Sequence, residues 1–190
     1  MIAKFIPEPD IDSFVKVIKG EMKPQRVHFV ELFLDRDVVK EIGEKYFGLI
    51  YPESDGSLEA EKRFWDFAIQ VYYRLGYDFL WVWGRPIFPA NPRITEDTAS
   101  KNGSHREWAE TGKGPISTWD DFNRYPWPTL TEEDLELYYY VSSRLPEGMG
   151  MFVANGDGFL EVVSNILIGY ENMCYMQYDD MDLLKTTIDM

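Results

Sequence analysis

The sequence predicts an α/β fold built on parallel strands, and three observations carry that expectation. Residues 27–34 and 77–83 are nearly continuous apolar runs, as strands covered on both faces of a parallel sheet are. Between them lie two segments of helical periodicity, and strand, helix, helix, strand is the order of crossover-connected parallel sheets. The 190 residues, 45% hydrophobic and 16% aromatic, hold apolar mass for one sizeable core, which predicts a single domain over residues 1–190.

Residues 1–24 read as a helical extension. Asp12 or Ser13 caps a short helix through Lys19, with Phe14, Val15 and Ile18 on its apolar side and Gly20 stopping it. After Pro24-Gln25-Arg26 comes the first strand, 27–34, whose polar exceptions are His28 and Glu31. Asp35 or Asp37 caps the next helix, where Val38, Val39, Ile42, Tyr46 and Phe47 follow helical spacing, and a turn around 52–56 ends it. The strongest helix spans 57–75, with Ser57 as cap, acids in its first turn, and Phe64, Trp65, Ala68, Val71, Tyr72 and Leu75 on one stripe before Gly76. Residues 77–83 form the second strand. From 84 to 130 the composition shifts to Pro, Gly, Asn, Thr and Trp without clear periodicity, which predicts a long loop excursion held in order by its aromatics. Thr131-Glu132-Glu133-Asp134 opens a helix in capping-box style that runs to about Leu145. Residues 149–154 make a third strand and Asn155-Gly156-Asp157-Gly158 a tight turn. A helix over 159–168 closes at Gly169, another covers 171–178, and Asp179 caps a last helix that continues to Met190.

Charge narrows the partners. With 33 acidic against 19 basic residues the net charge is −14, and the scattered bases give no stripe for a phosphate backbone, so nucleic-acid binding is not expected. Cys174, the single cysteine, has no internal disulfide partner. Residues 1–12 carry two prolines and three acids, unlike a signal peptide, and the apolar runs fall far short of the ~20 residues that cross a bilayer. The expectation is a cytoplasmic protein without a membrane span.

Several residues combine chemistry with a favourable place. Glu31 sits late in a buried strand, where it either faces a substrate or cofactor or pairs with Arg26 or Arg85. His28 points to the opposite face, as a core or interface histidine. Asp78 opens the second strand, with hydrogen bonding to backbone as its expected task. Arg85, just past that strand, binds a ligand's carboxylate or phosphate, or else pairs with Glu31. Asn155 and Asp157 follow the third strand and precede a helix, a place for ligand contacts as well as for a turn requiring φ > 0. Trp127, with Trp119 and Tyr125, either anchors the loop or walls an aromatic ligand. Gly112-Lys113-Gly114 lacks phosphate-loop spacing and reads as a turn, and His105-Arg106-Glu107 lacks the cysteine pair of a deaminase zinc site.

Four phrases together resemble the uroporphyrinogen decarboxylase superfamily, which includes cobalamin-dependent methyltransferases. They are Arg26-Val27-His28-Phe29-Val30-Glu31; Leu75-Gly76-Tyr77-Asp78; Gly114-Pro115-Ile116-Ser117-Thr118-Trp119-Asp120-Asp121-Phe122 with Tyr125-Pro126-Trp127-Pro128; and Ile168-Gly169-Tyr170-Glu171-Asn172 with Tyr178-Asp179-Asp180. The resemblance implies a (β/α)8 barrel of the TIM type with its site at the C-terminal ends of the strands. Such a barrel needs roughly 250 residues, so the chain corresponds to the N-terminal portion, about three parallel strands with covering helices. Its open sheet edge would be covered by further sequence, a partner chain, a second copy in a homo-oligomer or a rearranged fold. Glu31 and the Tyr-Pro-Trp-Pro segment are similar to the methyltransferase branch. There the resemblance implies a zinc ion held by His and Cys in the C-terminal half, a small methyl donor and a corrinoid protein as partner. The decarboxylase of tetrapyrrole biosynthesis is the alternative. Against it, the arginine-rich segment after the first strand is missing, and Arg85 falls where that enzyme's aspartate would stand. A third reading is a non-catalytic, self-associating split barrel.

Overall fold

The computed structural model describes residues 6–32, 34–83, 88–96, 105–109, 112–154 and 158–190. In chain order the elements are α1 (Ile11–Ile18), α2 (Arg36–Phe47), α3 (Leu58–Leu75), β1 (Phe79–Trp83), β2 (Pro92–Glu96), β3 (His105–Ala109), α4 (Trp119–Arg124), α5 (Glu132–Arg144), β4 (Gly150–Ala154), α6 (Phe159–Glu161), α7 (Tyr170–Asp179) and α8 (Met181–Ile188). α6 continues directly into a π-helical stretch, Val162–Leu167. The chain divides into two compact units. Unit 1 comprises Met1–Gly84 and Thr131–Ala154; unit 2 comprises Arg85–Leu130 and Asn155–Met190.

Unit 1 is α/β. β1 and β4 pair in parallel, from Phe79 opposite Gly150 to Trp83 opposite Ala154, and α5 lies in the crossover that parallel neighbours require. The two faces of β1 bury different partners. Leu80 and Val82 point into a core with Phe64, Phe67, Ala68, Val71 of α3 and Val141 of α5. Phe79 and Trp81 point the other way, into an aromatic cluster in which Phe79 lies 4.8 Å from Phe14 of α1 and 4.7 Å from Phe152 of β4. α3 forms as its sequence dictates: the Ser57 hydroxyl accepts from the Ala60 N–H at 3.1 Å, and Gly76 ends it in a left-handed conformation. The first turn of α5 is closed by Asp134, whose carboxylate accepts from the Thr131 N–H and hydroxyl.

One expected strand is missing. Residues 27–32 form neither helix nor strand and join no ladder among the described residues, and Val27, Phe29, Val30 and Leu32 stand half or more exposed. Strand pairing needs a neighbour that offers its backbone. Here the segment is tethered by side chains instead, with Arg26 and His28 reaching Asp78 and the Leu34 N–H reaching the Tyr72 hydroxyl at 3.3 Å. Among the described residues, the sheet of unit 1 therefore holds two parallel strands where three were expected.

Unit 2 also departs from the sequence reading. The 84–130 excursion contains an antiparallel pair, β2 with β3, and the short helix α4. Its core gathers Ile116, Tyr125, Val163, Leu167, Ile168, Met176, Leu183 and Leu184. Gly114 and Gly169 permit a close backbone approach: a Cβ on Gly114 would lie 2.3 Å from the Leu167 carbonyl oxygen, and Gly169 adopts φ +85° with Gly114 N beside it. The Gly114 and Ile116 N–H groups donate to the Ile168 and Leu167 carbonyls across that contact, at 2.7 and 2.9 Å. Asp180, one residue past the expected cap, starts α8 by accepting from the Leu183 N–H at 3.0 Å. Among the described residues no helix is long and apolar enough to cross a membrane.

Candidate functional site

Unit 2 contains a cavity of about 320 Å³ walled chiefly by Phe88, Trp127, Phe159, Val162, Leu167 and Ile188. Trp127 is fixed there by a packed aromatic corner, with Tyr125 4.7 Å and Phe122 5.2 Å away. Its indole N–H donates to the Phe122 carbonyl at 3.2 Å. The Tyr125 hydroxyl donates to the Pro89 carbonyl at 2.7 Å, and burial pushes this phenol up to about 12, so it stays neutral at ordinary pH. Thr187 reaches the same wall, but its hydroxyl is spent on the Leu183 carbonyl at 2.9 Å. A second, more polar cleft of about 290 Å³ in the same unit is lined by Gly112, Lys113, Glu171, Asn172 and Tyr175. The Asn172 amide is already engaged there, donating to the carbonyls of Ile116 and Ile168 and to the Ser117 hydroxyl.

Unit 1 holds a buried polar hub that the sequence only half announced. Asp78, fully buried, accepts from the Asp10 N–H at 2.7 Å, from the Arg26 guanidinium, and lies 2.7 Å from His28 Nδ1. The expected bond to backbone is present, and two basic side chains join it. The signal was an acid opening a buried strand in a chain whose nearest apolar run carries Arg26 and His28. His28 is buried as anticipated, edge-on to Phe14 at 5.6 Å, but its Nε2 has no hydrogen-bond partner among the described residues.

Of the other expected site residues, Glu31 is the one the structure describes, and it joins neither feature. Glu31 is exposed on the unpaired segment rather than at the end of a strand, and Arg26, one of its expected partners, is engaged by Asp78. Its charge acts on Tyr77, whose phenol is pushed up by burial first and by Glu31 second. Arg85, Asn155 and Asp157 lie outside the described residues. Of the expected residues that are described, Trp127 lines the 320 Å³ cavity, and Glu31 lines neither that cavity nor the polar cleft. The rest of that cavity had no separate signal, because its aliphatic walls read as ordinary core.

The implied zinc and corrinoid can be weighed against these residues. Among the described residues no three His, Cys, Asp or Glu side chains gather to hold a metal, and Cys174 and His28 belong to different units. A cavity of about 320 Å³ is at the small end of small-molecule sites and does not enclose a corrin macrocycle. The described residues thus fit neither group. No protein-family model matches the chain, and comparison with curated proteins and with solved structures finds no significant match.

Proposed function

We propose that this chain is part of an α/β-barrel enzyme of the uroporphyrinogen decarboxylase type, in its corrinoid-dependent methyltransferase branch. The observation that carries the reading is the parallel β1/β4 pair with α5 in its crossover, a βαβ unit of the kind from which (β/α)8 barrels are assembled. The connectivity of unit 2 adds support. Its two segments, Arg85–Leu130 and Asn155–Met190, follow β1 and β4 directly in sequence, and segments that follow the C-terminal ends of strands build the sites of such barrels. In this reading unit 1 supplies part of the barrel wall and unit 2 a small-molecule pocket around Trp127. The corrinoid is carried by a partner protein, and zinc ligands come from outside the described residues. The test uses the native gene product purified from its source. Methylation of cob(I)alamin by a small methyl donor, with stoichiometric zinc, is the expected result. Absence of both overturns the reading, and decarboxylation of a porphyrinogen would replace it with the decarboxylase.

A second reading rests on a separate observation. Val27, Val30 and Leu32 are more than half exposed on a segment outside any strand, and β1 and β4 form a sheet of only two strands among the described residues. Such edges favour self-association of a non-catalytic split barrel. Sedimentation of the chain as a monomer at micromolar concentration would exclude it.

A further inference from the structure

We propose that the Trp127 cavity is a binding site for an uncharged, two-ring aromatic molecule. The size comes first: an engineered apolar cavity of about 150 Å³ takes up benzene, and this one is about 320 Å³ and open to solvent on one side, with its lining residues Phe159 and Met190 each 66% exposed. Its chemistry follows from the wall. Phe88, Trp127 and Phe159 offer ring surfaces, Val162, Leu167 and Ile188 offer aliphatic ones, and among the described residues no ionisable side chain lines it. The side-chain N–H and O–H donors of the lining residues are engaged inside the protein, Trp127 Nε1 by the Phe122 carbonyl and the Thr187 hydroxyl by the Leu183 carbonyl. A carboxylate seated against that wall would shed part of its hydration and meet no basic side chain among the described lining residues, whereas a hydrocarbon face loses nothing.

The backbone supplies an independent observation. In an α-helix, residues five apart point about 140° away from each other. Over Val162–Leu167 the chain is π-helical instead, with the Ile168 N–H bonded to the Val163 carbonyl five residues back at 3.0 Å. The widened turn brings Val162 and Leu167 toward one side, where both line the cavity. π-Turns cost hydrogen-bond geometry and are concentrated at functional sites. The inference needs only unit 2, so its failure leaves the barrel reading standing.

The test is calorimetric titration of the full chain with naphthalene, with 2-naphthoate as the charged control. The expected result is saturable 1:1 binding of naphthalene, with 2-naphthoate weaker by about tenfold or more. Val162→Trp, which fills the space, should weaken naphthalene by a similar factor. On the unsubstituted chain, nuclear Overhauser contacts from naphthalene protons to the Val162, Leu167 and Ile188 methyls should locate it whether or not the variant folds. No saturable binding, equal binding of the charged control, or contacts elsewhere on the chain would each overturn the proposal.

Discussion

The two units handle buried polarity in opposite ways. Unit 1 buries a carboxylate, Asp78, and surrounds it with groups distant in sequence: the Asp10 N–H lies 68 residues away, the Arg26 guanidinium 52 and His28 50. Unit 2 has no buried carboxylate or basic side chain among its described residues. It is held by apolar packing and by a backbone approach at Gly114 and Gly169, and it leaves a cavity unfilled. A buried ion needs its partners in fixed places, so it specifies which segments meet. An apolar core tolerates unfilled volume, and that volume is what a ligand can use.

The sharpest way to break this contrast is Asp78→Ala. It strands His28 in the interior and removes the acceptor for the Asp10 N–H, while Arg26, 39% exposed, recovers part of its hydration. Removing one partner of a buried pair costs about 3–5 kcal/mol, and a value near the lower end is expected from urea denaturation. Hydrogen exchange should show lost protection in α1, α3 and β1 with α7 and α8 unchanged. Equal loss in α7 and α8 would show the units unfolding as one and end the comparison.

Gly169→Ala strikes the other unit. At φ +85° and ψ 139° the backbone lies in territory reserved for glycine, and the added Cβ would meet Gly114 N at 2.6 Å. Backbone cannot swing aside as a side chain can, so a loss of about 3 kcal/mol is expected, from strain and displacement together. The same exchange measurement should now report on α7 and α8 while β1 and β4 keep their protection.

What the sequence disclosed follows the same division. Helices were legible where a cap, a stripe and a glycine stop agree, as at Ser57, Phe64 to Leu75 and Gly76. The strands at 79–83 and 150–154 were legible because both are short apolar runs between turn signals. Residues 27–34 misled because an apolar run shows that a segment can be buried, not that a neighbouring strand is present to pair with it. The β2/β3 pair escaped notice because Pro92 to Glu96 and His105 to Ala109 lack alternation. Of the candidate site, Trp127 was visible as a conspicuous side chain. The cavity around it takes Val162 and Leu167 from a π-turn, which leaves no hydrophobic period to read.

Tyr125→Phe sharpens the contrast through pH. The native phenol holds its proton to about 12 because it is buried, while in the unfolded chain it ionises near about 10. The folded value is the raised one, so this stabilisation is complete below about pH 10 and drains away as pH rises toward 12. Over that window the native chain should lose roughly 2 kcal/mol that the phenylalanine variant does not lose. At pH 7 the order reverses, since the variant gives up the bond to Pro89, worth about 1 kcal/mol. Denaturation of both proteins at several pH values therefore gives curves that cross; parallel curves would mean that Tyr125 is not buried as described.

The smallest effect expected is at the start of α4, where unit 2 does rely on a polar device. The Thr118 hydroxyl accepts from the Asp121 N–H at 3.2 Å, and the Asp121 carboxylate accepts from the Thr118 hydroxyl at 2.8 Å and from the N–H groups of Thr118 and Ser117. These bonds, the hydroxyl's first, hold the Asp121 carboxyl below its usual range. Thr118→Ala should cost about 1 kcal/mol, and Thr118→Ser, which keeps the hydroxyl, much less. Because the lowered carboxyl contributes only while ionised, its share is present above the ordinary aspartate range, near about pH 4, and is lost as pH falls through the folded value. The alanine penalty should therefore shrink in acid. A penalty equally large at pH 3 and pH 7 would place the whole effect in the hydroxyl's bond to the helix and leave Asp121 without a part.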